Sequence, residues 1–350
     1  MKALRLYGPN DLRLDEVEKP TAPRGGMVVK VEACAICGSD LRNVKAGGSA
    51  HKMIMPAILG HELAGEIVEL GEGTEGYEIG QKVVCSAIIP CGKCRYCLAG
   101  LQNQCVDKNA LSYVVPGGFA EYIMLPALHV ANGGVHPVPE GFTCEDVCIA
   151  EPCSCALNGQ ELSNVHLGDV VAVLGAGPLG IIHCLIAKAM GARKVISTDI
   201  MQNRVDQAKQ FPEIDVCVNT AKEDLMEIVN RETDGFGCDV VIVASPSVKA
   251  QEQAIDIAGK RARVNFFGGL PKGSPKCEVD SNVVHYKELF IHGTSDSCNL
   301  HIDKVLEMFK SGQIDPRRVI THRYPIDQYK EAFDMAASGN ALKVIITPNA

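Results

Sequence analysis

The sequence predicts an α/β protein in which a doubly wound parallel sheet is inserted into a β-rich, barrel-like domain. Three observations carry that expectation. Before Asp169 the chain runs in short β-type stretches separated by Gly and Pro, and after it apolar strands alternate with helical stretches. Directly after the apolar run at 170–174 comes Gly175-x-Gly177-x-x-Gly180, leading into a helical pattern. From about residue 295 the chain returns to a helix and a final β-type run.

The elements follow in order. In the first 150 residues, "MVVKVEAC", "LAGEIVEL", "QKVVCSAII" and "FAEYIML" read as strands bounded by turn residues. The second region opens with "DVVAVL" as a buried strand, the glycine turn and a helix. "KVISTDI", "DVCVNT", "CDVVIVAS", "RVNFFGG" and "ELFIHGT" read as further strands, with helices over 203–210, 222–231 and 248–258. In the tail, "IDKVLEMFKSG" is helical and "LKVIITP" is a strand expected to rejoin the first domain. No internal repeat or low-complexity segment is seen.

A chain of 350 residues suits about two domains. With 46% hydrophobic residues it can bury a sizeable core. A net charge of −8 and a pI near 5.7 argue against nucleic acid or an anionic membrane as the main partner. The N-terminus shows no secretory h-region. The most apolar stretch, 170–192, contains several Gly, Pro178, His183 and Lys188, which is wrong for a membrane span. A cytoplasmic location is expected.

Sixteen cysteines in such a chain do not imply a disulfide framework. Cys184, Cys217 and Cys238 fall in apolar runs and read as core. Cys91, Cys94, Cys97 and Cys105 differ, with a C-x2-C-x2-C-x7-C spacing in a polar loop. Four thiolates close a tetrahedral zinc cage with no position open to substrate, so this site is expected to be structural. An iron–sulfur cluster is a rival, but its bacterial run places the fourth cysteine after three residues and before proline. Unmetallated thiols are the third reading.

In the glycine motif, Gly175, Gly177, Pro178, Leu179 and Gly180 would bring a pyrophosphate to a helix N-terminus. Asp199 ends the next strand, 19 positions after Gly180. A carboxylate there accepts from a ribose 2′-hydroxyl and repels a 2′-phosphate, which favours NAD over NADP. Arg204 is a further cofactor-binding candidate that would soften this preference, or it is a solvated helix residue.

Three scattered pieces carry other metal donors: Cys37 in "CAICGSDLRN", His61 and Glu62 in "LGHELAG", and Glu151 in "AEPCSCALNG". Cysteine, histidine and carboxylate suit zinc, and three protein ligands leave one position for chemistry. Their spacing alone is a weak signal.

Taken together, "CGSD", "GHE", the four-cysteine loop, "GGFAEY", "EP" at 151–152, "GAGPLG" and Asp199 resemble the zinc-dependent medium-chain dehydrogenases over essentially the whole chain. The style is nearest to the sorbitol (polyol) and threonine dehydrogenases. The resemblance implies a GroES-like catalytic domain of residues 1–153 plus 295–350 and a Rossmann NAD-binding domain of residues 154–294. It also implies a catalytic zinc on Cys37 and His61, with Glu62 and Glu151 as exchangeable carboxylates. Cys153 and Cys155 are alternative donors. Asp40 would orient His61, unless it is a helix N-cap. Ser39 would be the first proton-relay hydroxyl, unless it caps the backbone locally.

The implied reaction is hydride transfer from a secondary alcohol, a polyol, sugar alcohol or related sugar derivative, to NAD, giving the ketone. Many relatives end the relay with histidine at the position of Arg42, which cannot act as a base; His51 is another candidate. Arg42, Lys45 and Lys52 would face an anionic substrate or form a solvated loop. A homodimer or homotetramer is expected from the edge strand near 288–294. The rivals are a non-zinc medium-chain reductase, and a thiol redox sensor or nucleotide-binding protein without turnover.

Overall fold

The computed structural model describes residues 1–48 and 53–349. His51 and Lys52 lie outside the described residues. The chain divides into two compact units, Met1–Ser154 with Asp296–Ala350, and Cys155–Ser295.

The first unit is built on a seven-stranded sheet. Its order is Val135–Pro137, Lys82–Cys85, Glu62–Leu70, Met27–Ala35, Lys343–Thr347 and Ile320–Pro325, with Tyr122–Leu125 also paired to Met27–Ala35. The C-terminal strand therefore lies directly beside a strand from the first tenth of the chain, antiparallel, with Ile345 opposite Ala35. The core behind the sheet contains Leu4, Leu6, Met27, Val29, Val31, Leu63, Ile67, Phe119, Ile123 and Ile346, all about fully buried. The hairpin Lys2–Gly8/Asp11–Glu16 was not foreseen, although Leu4, Leu6, Leu12 and Leu14 alternate with charged residues along it. The tail helix expected at 302–312 is Asn299–Lys310, and the unit also holds helices Gly38–Ala46 and Tyr329–Ala337, which were not foreseen.

The second unit is a six-stranded, all-parallel sheet. Its strand order is Val216–Asn219, Lys194–Asp199, Val170–Leu174, Cys238–Val243, Ala258–Phe266 and Phe290–Gly293. The reversal of order at Val170–Leu174 makes the crevice at the C-terminal ends of that strand and its neighbours the ligand position of an open α/β sheet. Helices differ from the sequence expectation at their ends. The expected helix at 222–231 runs Leu225–Glu232, because Asp224 caps it by accepting from the N–H groups of Met226 and Glu227. The one at 203–210 is Gln202–Ala208, and the one at 248–258 stops at Asp256, since Ala258 already pairs with Cys238 in the sheet. Cys184 and Cys238 are core residues, whereas Cys217 is only half-buried at the sheet's outer strand. Among the described residues no helix is long and apolar enough to cross a membrane.

Candidate functional site

The strand register of the first unit assembles a donor set from residues far apart in sequence. Glu62 begins its strand opposite Ala35, the last residue of Met27–Ala35. Cys37 follows two residues later and precedes the helix Gly38–Ala46. The ligand atoms of Cys37, His61 and Glu62 lie within 4.8 Å of one another. Glu151 sits in the first turn of the helix Ala150–Leu162 and is almost wholly buried, but it is not in that close trio.

Asp40 is buried and faces inward. One of its oxygens accepts from the Cys37 N–H at 2.9 Å, and the other is 3.7 Å from His61 Nδ1. Asp40 is therefore not the N-cap, which is Cys37, but the third residue of the helix, whose carboxylate reaches back to the cap N–H and also lies beside the histidine. His61 Nδ1 is buried with no hydrogen bond among the described residues. Ser39 Oγ is 3.5 Å from the other ring nitrogen, Nε2. Burial disfavours charge on His61, yet Asp40, Cys37 and Glu151 outweigh it and push its pKa well above the ordinary value. A pocket that draws positive charge to a Cys–His–carboxylate trio fits a zinc ion held by these residues.

Cys91, Cys94, Cys97 and Cys105 also come together with their sulfurs within 4.8 Å of one another. A tetrahedron with 2.3 Å arms has edges of about 3.8 Å, and Cys94 and Cys97 Sγ are 3.5 Å apart. N–H groups of Cys97 and Val106 hold Cys94 down to about 6. Loss of solvation and the neighbouring thiols push Cys97 up to about 12. Such a set cannot ionise fully without a cation, which fits a structural zinc.

In the second unit the glycine motif turns between Val170–Leu174 and the helix Pro178–Ala189. Gly175 has φ +118°, and a Cβ on Gly180 would stand 1.7 Å from the Gly175 carbonyl oxygen, so the chain itself requires both glycines. At Gly177 a Cβ would meet only Arg204 at 3.6 Å, so that glycine leaves room for a ligand rather than for the fold. No side chain caps the helix start. A cavity of about 270 Å³ adjoins the turn, lined by Gly175, Asp199, Arg204, Thr220, Ser245 and others. Asp199 accepts from the N–H groups of Ala176 and Met201, and Arg204 lies 3.6 Å from its carboxylate. The arrangement fits the adenosine half of a dinucleotide, with its pyrophosphate at the helix start near Pro178 and Leu179.

Residues 23–140 match the alcohol dehydrogenase GroES-like domain, and residues 178–311 match the zinc-binding dehydrogenase domain. A sorbitol dehydrogenase of Halalkalibacterium halodurans is 30% identical over 357 residues, covering 99% of each chain. An L-threonine 3-dehydrogenase of Rhizobium etli is 33% identical over 350 residues, 99% of this chain and 98% of its own. The chain belongs to the zinc-dependent medium-chain dehydrogenase family. The crystal structure of 2R,3R-butanediol dehydrogenase from Bacillus subtilis has the same fold, with a TM-score of 0.89 at 26% identity over 99% of both chains.

Two residues beside the candidate donor trio of this dehydrogenase were missed by sequence reasoning. Lys343 Nζ donates to both carboxylate oxygens of Glu62, at 2.6 and 2.5 Å, and both side chains are buried. The register predicts this once the last strand is placed. Ile345 lies opposite Ala35, and the Ile36 N–H donates to the Val344 carbonyl, so Lys343 stands level with Cys37. Tyr113 stacks at a tilt near His61, with ring centroids 6.3 Å apart. Neither residue belongs to a local motif. Of the alternative donors in this dehydrogenase, Cys153 is buried and burial pushes its thiol far up, which does not suit a thiolate ligand. Arg42 is exposed, with a guanidinium nitrogen 3.8 Å from the position of a Cβ on Gly38, and Lys45 is exposed on the same helix.

Proposed function

We propose that the protein oxidises a secondary alcohol bearing a polar neighbour, such as a polyol or sugar alcohol, to the ketone with NAD as acceptor. The observation that carries this reading is the Cys37–His61–Glu62 trio, whose donor atoms lie within 4.8 Å of one another. The named relatives act on sorbitol, L-threonine and 2R,3R-butanediol, and each of these carries a heteroatom beside a secondary carbinol.

Bound to this trio, zinc supplies Lewis acidity that eases loss of the alcohol proton. NAD supplies the hydride acceptor. Cys37 and His61 are the proposed fixed ligands. Asp40 lies beside His61 Nδ1, which leaves Nε2 on the side of Ser39. Ser39 Oγ is the first relay hydroxyl, which would take the alcohol's proton as it passes its own on toward the nicotinamide ribose. Glu62 shares its charge between the metal position and Lys343, while Glu151 is the exchangeable carboxylate alongside. Asp199 and the turn from Gly175 to Gly180 hold the cofactor, with Arg204 beside the carboxylate. The catalytic domain is residues 1–153 with 295–350, and the NAD-binding domain is residues 154–294.

Metal analysis and turnover test the reading together. About two zincs per chain are expected. Cys37→Ser is expected to retain about one zinc and lose about a thousandfold or more of kcat/KM, read by NADH absorbance. An active Cys37→Ser variant with unchanged zinc would overturn it. Replacement of Asp199 by alanine is expected to shift the NAD/NADP ratio of kcat/KM toward NADP by roughly ten- to a hundredfold, the size of one charge-assisted hydrogen bond. An unaltered ratio would remove Asp199 from cofactor selection.

A homodimer or homotetramer is proposed from the edge strand Phe290–Gly293. Among the described residues its outer edge pairs with no other strand, and Phe290 and Tyr286 are exposed beside it. A cytoplasmic location accords with sixteen free cysteines, several of them metal-donor candidates.

A further inference from the structure

The four-cysteine loop is fastened to the chain by more than its own thiols. Gln102 accepts the Asn299 N–H on its side-chain oxygen at 3.1 Å and donates its amide to the Asn132 carbonyl at 3.2 Å. Asn299 Nδ2 donates to the same carbonyl at 2.6 Å, and Asn132 Nδ2 donates at 3.1 Å to the carbonyl of Pro90, just before Cys91. The Cys298 thiol donates to Asn103 Oδ1 at 3.1 Å, and Lys108 bridges the Asn103 carbonyl and the Asp296 carboxylate. Asn103, Cys298 and Asn299 are all buried. These bonds converge on 296–299, where the chain re-enters the first unit. Asp296 there has φ +54°, a left-handed conformation that a non-glycine residue keeps only where its surroundings hold it. Four thiolates close on one ion without any of this network.

From that segment the path continues through two buried hydroxyls. Ser297 Oγ is 2.7 Å from Ser154 Oγ, and Ser154 Oγ donates to the Glu151 carbonyl at 2.6 Å. A hydroxyl has one proton to give, so Ser297 is the donor to Ser154. Ser154 is 0% and Ser297 6% exposed, so water does not compete for these bonds. Glu151 lies in the first turn of Ala150–Leu162, and the direction of a helical side chain follows the backbone of its turn.

We propose that the four-cysteine loop is a metal-dependent positioning device for Glu151. Closed on its ion, the loop holds 296–299 in place, and Ser297 passes that hold through Ser154 to the turn that aims the Glu151 carboxylate. Gln102, Lys108, Ser154 and Ser297 are its positioning residues. The loop then does more than stabilise its own unit, because emptying it loosens the second metal site. This rests on the reading above of Glu151 as an exchangeable carboxylate at the Cys37–His61–Glu62 trio.

The test reads amide hydrogen exchange by segment, and release of zinc to a chromogenic chelator, in the zinc-loaded protein. The release phase missing from Cys37→Ser identifies the zinc of the trio. Cys94→Ala is expected to speed exchange about tenfold or more at 296–299 and 150–154 as well as at 91–105. Gln102→Ala keeps all four thiols and about two zincs, and is expected to speed exchange at 296–299 and 150–154. In Ser297→Ala, exchange at 150–154 rises and the trio's zinc leaves about tenfold faster, the usual effect of removing a partner behind a metal ligand. Ser297→Thr, which keeps the hydroxyl, is expected to release that zinc at the wild-type rate. Met27–Ala35 is the reference strand, and a rise there equal to that at 150–154 would mean general loss of stability and overturn the proposal. Faster exchange confined to 91–105 in Cys94→Ala overturns it and leaves the dehydrogenase reading standing. Should that variant fail to fold, unchanged exchange at 296–299 in Gln102→Ala overturns it instead. Unchanged release of the trio's zinc in Ser297→Ala removes Glu151 from that metal, and the proposal with it. A wild type with no zinc at the trio overturns the reading of the metal centre itself.

Discussion

Replacing Lys343 with methionine is expected to destabilise the metal-stripped protein by about 3–5 kcal/mol, the usual cost of leaving one member of a buried ion pair without its partner. Glu62 is fully buried, and Lys343 is the cation that meets both of its oxygens. Burial would lower the lysine's pKa, but Glu62 and Cys37 outweigh it, so Lys343 stays charged. Zinc on the trio is the alternative counter-charge for Glu62. The gain in melting temperature on adding zinc should therefore be larger in Lys343→Met than in the wild type. The double variant Lys343→Met with Glu62→Gln should recover most of the loss in the stripped protein, because no buried charge is then left uncompensated. A single variant that melts like the wild type without metal would refute the pairing argument. Equal zinc responses in the two proteins would show that Glu62 does not share its charge between lysine and metal.

The second large effect is expected at the four-cysteine loop. Cys94→Ala should reduce zinc from about two to about one per chain. Zinc held by four such ligands carries about 10–16 kcal/mol of binding free energy, all of it available only to the folded loop. Loss of even a third of that is about 3 kcal/mol or more, which lowers the melting temperature by roughly 6–12 °C in a unit of this size. The sulfurs converge from one short loop, and Cys94 is the thiol whose backbone neighbours favour the thiolate most, so its removal should be felt strongly. Differential scanning calorimetry and metal analysis on the same sample decide the matter. Two zincs and an unchanged melt would mean that the loop is not a metal cage.

How much of this was legible before any coordinates differs sharply between sites. The four-cysteine loop was legible because its ligands lie within fifteen consecutive residues, and local chain geometry alone brings such thiols together. The glycine turn was legible for a similar reason. Gly175 needs its positive φ, and Gly180 must pass the Gly175 carbonyl, so backbone sterics dictate the residue type. The parallel sheet followed from unbroken apolar runs such as Val170–Leu174, which only a strand covered on both faces would have. Helix ends were less legible, because Asp224 begins its helix by a cap that competes with several other polar residues nearby.

The candidate donor set was legible as a list but not as a place. Cys37, His61, Glu62 and Glu151 could be named by resemblance, yet only the pairing of Met27–Ala35 with Glu62–Leu70 brings the first three within reach of one ion. Lys343 and Tyr113 were beyond the sequence altogether. A lysine in an apolar C-terminal strand gives no sign that it will meet a glutamate 281 residues earlier, and the approach of the Tyr113 and His61 rings exists only in the folded chain.

Local chemistry is written in neighbouring residues, because turns, caps and short chelating loops are closed by a few dihedral angles. The partner of a buried charge and the neighbour of a reactive metal are chosen by sheet register, which the whole fold decides at once. In this protein the motifs determined what can bind, and the seven-stranded sheet decided which carboxylate, which lysine and which hydroxyl stand beside it.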